Sequence, residues 1–344
     1  MTKIFKLAVD MLGSETKTLE ILKGLEQSLL RNINYKFYLF GNKNSIIKNI
    51  RRFKKLQNAC QIIDCKESIT MNDKPSDIIK SKTSSSMHQA IKSTQANETD
   101  AVLSFGNTGA LMTLSLLNLK TLPEIKRPSI ASIWPNMKGE SIVLDLGANT
   151  KLSSKYLIDN AILGSSLANI ILKIDMPSIG LLNVGSEEIK GNEEIKNASD
   201  RLRELSNLEL INYYGYIEGN DISIGKTNVI VTDGFTGNIA LKTAEGTAKL
   251  FQSHLNSAYK SSLISKIGYL LSSISLRSVK ERLDPRVHNC GIFMGLNSLV
   301  VKCHGQSEFK GVSYAADIIY SLLQNDVNDR IKNYVMDIQR KIAI

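Results

Sequence analysis

The sequence predicts an α/β fold of three layers, α/β/α, with helices on both faces of a mostly parallel sheet. Three observations lead there. Short apolar runs recur along the chain, and several are unbroken rather than alternating, as in strands buried on both faces. Segments of helical spacing lie between them. Glycine-containing loops follow several of the runs, and most of these loops lead towards a helix.

In chain order, the first run is the strand Phe5–Val9, too short for a secretory signal and without its cleavage site. The helical pattern Thr18–Arg31 follows. Strands are next expected at Tyr35–Phe40, Gln61–Asp64, Ala101–Ser104, Ser129–Ile133 and Ser141–Leu146. Helix Lys155–Leu172, strand Ser178–Asn183 and helix Asn192–Leu205 continue the alternation. The last elements are strands Glu209–Tyr213 and Val229–Thr232, helix Asn238–Ala258 and strand Ser298–Lys302. A length of 344 residues suits two domains of ordinary size or one large one. Without a repeat or low-complexity linker, residues 1–344 are expected to form a single α/β domain with a helical excursion at about 255–285.

That excursion differs in kind. From Lys260 to Arg282, Leu263, Ile264, Ile267, Leu270, Leu271, Ile274 and Val279 recur every three to four positions. Lys260, Lys266, Arg277, Lys280 and Arg282 surround them, with no acid before Glu281. This is a basic amphipathic helix or helical hairpin, suited to an anionic membrane surface, an acidic protein, or a dimer or core contact.

Composition excludes several classes. With 42% hydrophobic residues the chain is not disordered. The longest uncharged stretch, Ala101–Leu119, carries too many Ser, Asn, Thr and Gly residues for a membrane span. Cys60, Cys65, Cys290 and Cys303 form no CxxC pair, and the four His lie at no familiar ligand spacing. Reduced cytoplasmic thiols and no metal site are therefore expected. The absence of GxGxxG and GxxxxGK[ST] disfavours dinucleotide and nucleoside-triphosphate loops, and no GxSxG nucleophile elbow occurs. The net charge of +10 suggests polyanions. With 6% aromatics and no nucleic-acid-binding motif, nucleic acid is the weaker choice of polyanion.

Four loops hold the candidate chemistry. They are Ser104–Met112, Leu144–Asn149, Leu182–Gly191 and Thr232–Asn238, expected together at one end of the sheet, where open α/β folds bind ligands. Glycine lets the backbone approach an anion, and a helix N-terminus offers unpaired N–H groups. Each glycine alone could simply turn a strand into a helix. Four loops decorated with Asn, Thr and Asp suggest a polar cleft for a small, phosphate-like ligand.

These loops carry a resemblance. The chain resembles the acyl-ACP:phosphate acyltransferase family (PlsX) from Ala8 to about the C-terminus. The matching segments are Gly106–Met112, Val143–Asn149, Leu181–Gly185 with Glu188–Gly191, Asp233–Asn238 with Leu241–Thr243, and Val301–Gly305. The resemblance implies a fold similar to isopropylmalate dehydrogenase and phosphotransacetylase. It also implies transfer of a fatty acyl group from acyl carrier protein to inorganic phosphate, without a cofactor. The implied setting is a homodimer, cytoplasmic and peripherally attached to membrane, feeding a membrane glycerol-3-phosphate acyltransferase of phospholipid synthesis. Two positions depart from the family pattern. Ser14 and Glu15 replace a Gly-Asp pair, which puts the first loop's geometry in question, and Cys290 replaces a glycine.

Phosphate attack on a thioester needs placement and charge rather than a covalent intermediate. Lys190 is the leading cation, for phosphate or the thioester oxygen, with a solvated surface lysine as the alternative. Asn107, Thr108, Asn149 and Asn238 are candidate donors, with Gly109, Gly234, Thr236 and Gly237 shaping the phosphate and thioester site. Asp233 would fix its loop, although Asp145 and Asp233 could both be turn or helix-start carboxylates. His304 is a candidate acid for the leaving thiolate or a satisfied core histidine, and His88 has similar standing. Leu263, Ile267, Leu270, Leu271 and Ile274 are the membrane or carrier-protein contacts. A phosphotransacetylase-like enzyme using acyl-CoA is the alternative activity. A decarboxylating dehydrogenase is disfavoured for want of an Asp cluster or nicotinamide motif.

Overall fold

The computed structural model describes residues 3–32, 34–282, 290–305 and 307–342. The first half runs β1 (Phe5–Asp10), α1 (Thr18–Arg31), β2 (Tyr35–Gly41), α2 (Lys43–Ile50), α3 (Lys54–Asn58), β3 (Cys60–Asp64) and α4 (Pro75–Ser81). It continues through α5 (Ser86–Gln95), β4 (Ala101–Ser104), α6 (Thr108–Leu119), β5 (Ser129–Asn136) and β6 (Gly139–Leu144). The second half runs α7 (Ser154–Ile171), β7 (Ser178–Leu182), α8 (Glu193–Asn207), β8 (Asn212–Ile217), α9 (Gly219–Ile224) and β9 (Val229–Val231). Last come α10 (Gly234–Lys260), α11 (Leu263–Arg282), β10 (Cys290–Met294), β11 (Leu299–Cys303), α12 (Phe309–Gln324) and α13 (Val327–Ile342).

Among the described residues, eleven strands join one sheet in the order β3-β2-β1-β4-β11-β10-β5-β6-β9-β7-β8. Successive side chains of a strand face opposite ways, so the sheet divides two cores. Phe5, Leu7 and Val9 of β1 point into one core with α1, α7, α8, α12 and α13, while Ala8 points into the other with α5 and α6. The expected three layers follow directly from this period.

Direction along the sheet was not foreseen. β10 is antiparallel to both β11 and β5, and β5 is antiparallel to β6. Hence β1–β4 and β11 run one way, whereas β6, β9, β7 and β8 run the other. The four glycine loops therefore do not share one end of a parallel sheet. The β4 loop leaves one end, and the loops after β6, β7 and β9 leave the opposite end. Four interstrand steps separate β4 from β6. At a twist of roughly 20–25° per step, these accumulate to about 80–100°, so the two sets of loops diverge by much less than a straight reversal.

One strand was not expected, and two element boundaries shift. β10 is absent from the expected set because the preceding basic segment masks a five-residue strand. β8 begins at Asn212 rather than Glu209, which sits at φ +56° in a turn. α10 begins at Gly234, four residues before the expected Asn238, because Asp233 caps it. In the first loop, the left-handed position is Gly13, at φ +76°, while Ser14 is not in that region. Replacing the family's second glycine thus leaves the strained position with the residue it needs. Cys290 is buried in the core, and all four cysteines are free.

Candidate active site

At the C-terminal ends of β1, β4 and β11, Asp10, Ser104 and Lys302 are register partners across three adjacent parallel strands. All three are buried. Ser104 Oγ donates to Asp10 Oδ2 at 2.7 Å, and Ser86 Oγ donates to Oδ1 at 2.5 Å. The Leu12 N–H adds a longer bond to Oδ1 at 3.3 Å. Burial nonetheless pushes the Asp10 carboxyl up to about 6. The same burial pulls the Lys302 ammonium down to about 8, with Lys242 of α10 adding repulsion and Asp10 opposing it.

Immediately beyond Ser104 the chain enters α6. Asn107 caps this helix, its Oδ1 accepting from the Ala110 N–H at 3.0 Å. Its amide nitrogen faces the carbonyl oxygens of Thr70, Met71 and Asp73. In this arrangement Asn107 holds its own loop against the chain after β3. The N–H groups of Thr108 and Gly109 have no partner among the described residues, and the first turn has no acid. Such an end attracts anions, since the helix dipole and free donors act together.

The other half is closed by comparison. Asp145, after β6, is fully buried, and its carboxylate collects five donors. Oδ1 accepts from the N–H groups of Ile130, Gly147 and Ala148 at 3.0–3.1 Å. Oδ2 accepts from the Asn149 N–H and the Tyr156 hydroxyl at 2.8 and 2.7 Å. Asn149 gives both amide hydrogens away, to Pro128 O and Tyr156 Oη, so it too is a loop builder rather than a free donor. Asp233 accepts from the Phe235 and Thr236 N–H groups and from the Thr236 hydroxyl, the helix-start role left open by the sequence. Gly234 N–H is held by Asn149 O, and Gly237 N–H by Asp233 O. A Cβ on Gly237 would overlap the Asp145 carbonyl oxygen. The α10 start is thus satisfied internally. Asn238 alone presents an exposed amide without a hydrogen bond among the described residues, beside Gly147.

Lys190 lies in the loop after β7, its side chain 46% exposed and paired to Glu187 at 2.8 Å. That partner raises its pKa, so it stays charged. Asn183 pins the loop by donating to the carbonyl oxygens of Gly185 and Lys190. His304 is half-buried, and burial together with Lys242 and Lys302 holds it below the usual imidazole range. It is neutral at neutral pH, which weakens it as the acid. His88 is buried and likewise lowered by burial. Among the described residues no group of three His, Cys, Asp or Glu is placed to hold a metal.

α10 links the two halves. It starts against the β6 loop, and its Lys242, Glu245 and Lys249 act electrostatically on His304. Leu263, Ile267, Leu270 and Leu271 of α11 are exposed, the last two by 72% and 80%, and Ile274 lies outside the described side chains. Tyr259 packs on Tyr269 where the two helices meet. No described helix is long and apolar enough to cross a membrane.

Comparison with known proteins settles the family. A family model described as fatty acid synthesis protein matches residues 5–330. The phosphate acyltransferase of Azorhizobium caulinodans is 42% identical over 98% of this chain and 95% of its own length. The chain belongs to the phosphate acyltransferase family PlsX. The phosphate acyltransferase of Xanthobacter autotrophicus is 43% identical over 96% of this chain and 93% of its own. In fold, the chain is similar to a phosphotransacetylase from Streptococcus pyogenes, with a TM-score of 0.61 at 14% identity over 94% of each chain. Within this family member, Asp10, Ser86, Ser104 and Lys302 are the cluster that sequence reasoning missed. One signal was available: a lysine ending the apolar run Leu299-Val300-Val301 is out of place in a buried strand unless it has a task.

Proposed function

We propose that this phosphate acyltransferase of lipid synthesis moves a fatty acyl group from the thioester of acyl carrier protein directly to inorganic phosphate. The family match carries the reaction class, and the open α6 turn is the observation that favours a small anion here. Phosphate would lie against the free N–H groups of Thr108 and Gly109, with Asn107 shaping the turn. From the other half, Lys190 and Asn238 would meet the phosphate or thioester oxygen. Asp233, Gly234, Thr236 and Gly237 would hold the α10 start, with Asn149 bracing it. His304, kept neutral, would serve as a hydrogen-bonding group rather than an acid. No covalent intermediate or cofactor enters this scheme.

The deciding assay is acyl-phosphate formation by purified protein from phosphate and either acyl-ACP or acyl-CoA. Faster turnover of acyl-CoA would transfer the reading to a phosphotransacetylase-like enzyme.

For partners, we infer a homodimer at an anionic membrane, supplying acyl phosphate to a membrane glycerol-3-phosphate acyltransferase. The exposed apolar residues of α11 and the basic charge around them support the membrane contact. Leu270→Glu with Leu271→Glu should abolish binding to anionic vesicles while acyl transfer in solution continues. Unchanged vesicle binding would assign this face to the carrier protein or the second subunit.

A further inference from the structure

Lys302 is difficult to explain by folding alone. It lies one residue from the end of a buried strand at 9% exposure, where an ammonium is costly unless fully paired. Its one hydrogen bond among the described residues is to the carbonyl oxygen of its neighbour Cys303, which leaves two ammonium hydrogens unspent. Asp10 is near enough to act on it electrostatically but forms no direct ion pair with it. The Asp10 carboxylate is instead taken up by Ser86, Ser104 and the Leu12 N–H. A purely structural pair would have closed on itself. This one holds a charged donor in reserve, one strand from Ser104 and beside the start of the α6 turn.

We propose that Lys302 is a further catalytic residue of the acyl transfer, the group whose ammonium protonates the departing thiolate. The inference rests on the acyl-transfer reading above. In the step, a phosphate oxygen bonds to the acyl carbon and the carbon–sulfur bond breaks, its electron pair going to sulfur. Sulfur takes a proton from Lys302 Nζ. The proton released by hydrogen phosphate as its anhydride bond forms returns to the amine, so the enzyme ends as it began.

The surroundings suit this task better than those of the alternatives. Lys302 faces Asp10 from β1, Lys242 from α10, and Cys303 on its own strand, and Lys242 is itself paired with Glu245 at 2.9 Å. Together these leave the ammonium at about 8, close to a free thiol near 8.5, the matching that proton transfer favours. Lys190 is raised by Glu187 and is a poorer acid, while His304 has already lost its proton at neutral pH.

The test compares two thioesters of the same acyl chain, one on acyl carrier protein and one on 4-nitrothiophenol, whose acidic thiol leaves without a proton. With Lys302→Met, kcat on the carrier-protein thioester should fall by about 10²–10⁴-fold. The aryl thioester should lose less than about 10-fold, and the KM for phosphate should hold. Equal losses on both thioesters, in an enzyme whose wild type is active, overturn the assignment alone. A wild type inactive on both overturns the underlying reaction as well. If Lys302→Met does not fold, Asp10→Asn with Lys302→Met removes both buried charges and carries the same comparison. On wild-type protein, kcat for the carrier-protein thioester should also fall as pH rises through about 8, with no such fall for the aryl thioester.

Discussion

At the ends of β1, β4 and β11, a carboxylate and an ammonium lie on either side of Ser104 without pairing directly, and the next helix starts with free N–H groups. At the ends of β6 and β9, one carboxylate gathers five donors, a second caps the helix, and the α10 start is satisfied internally. Both halves carry the same kinds of residue. They differ in whether the polar groups are spent on the fold. Saturated groups make a rigid wall, whereas reserved ones can meet a ligand, because an unpaired buried donor gains most from a partner.

The largest effect should come from breaking the saturated half. Asp145→Ala leaves four backbone N–H groups and the Tyr156 hydroxyl without their acceptor, and should cost about 4 kcal/mol or more. Urea denaturation measures it. A loss near 1 kcal/mol would mean that water replaces the carboxylate and that this half is not rigid.

Next is the reserved half, which should respond to pH. Asp10 has a folded pKa of about 6, above its ordinary 3.8. The folded state therefore holds this proton more tightly, and the resulting stability is complete below about 4 and lost as pH rises through about 6. Asn at this position does not titrate. The stability of Asp10→Asn relative to wild type should accordingly rise from below pH 4 to above pH 6, by about 3 kcal/mol in total for a shift of this size. Parallel melting curves across that range would show that the carboxylate is not desolvated.

Asp233→Ala should cost about 1 kcal/mol, the worth of a helix cap, with Asp233→Asn recovering most of it. An unchanged midpoint in thermal melting would indicate that Gly234 and Asn149 hold the α10 start without the cap. Lys190→Ala should have the smallest effect on stability, because its pair with Glu187 is exposed. Acyl-phosphate formation should nevertheless be abolished. Wild-type turnover in that variant would remove Lys190 from the site and concentrate the chemistry at Lys302 and the α6 turn.

Much of this was legible in the residues themselves. Thr18–Arg31 and Ala101–Ser104 coincide with the observed helix and strand, since their hydrophobic period is local and unambiguous. The Gly-Asn-Thr and Asp-Gly-Phe-Thr loops mark real helix starts, because caps are fixed by the residues at the turn. Asn107 and Asn149 show the boundary of such reading. Their identity announces hydrogen bonding, but not whether the partner is a ligand or the carbonyl oxygens of Thr70 and Pro128, which lie far away in sequence.

The sequence by itself thus determined the layers, most strands and helices, and the loops that matter, all set by interactions within a few residues. Only the tertiary structure decided the direction of each half of the sheet, because strand pairing across β11, β10, β5 and β6 is invisible to local pattern. It also decided which charges are buried. Asp10 and Lys302 stand 292 positions apart in the chain and become neighbours only when β4 is laid between their strands. Their shifted proton affinities are properties of that enclosure, not of the residues.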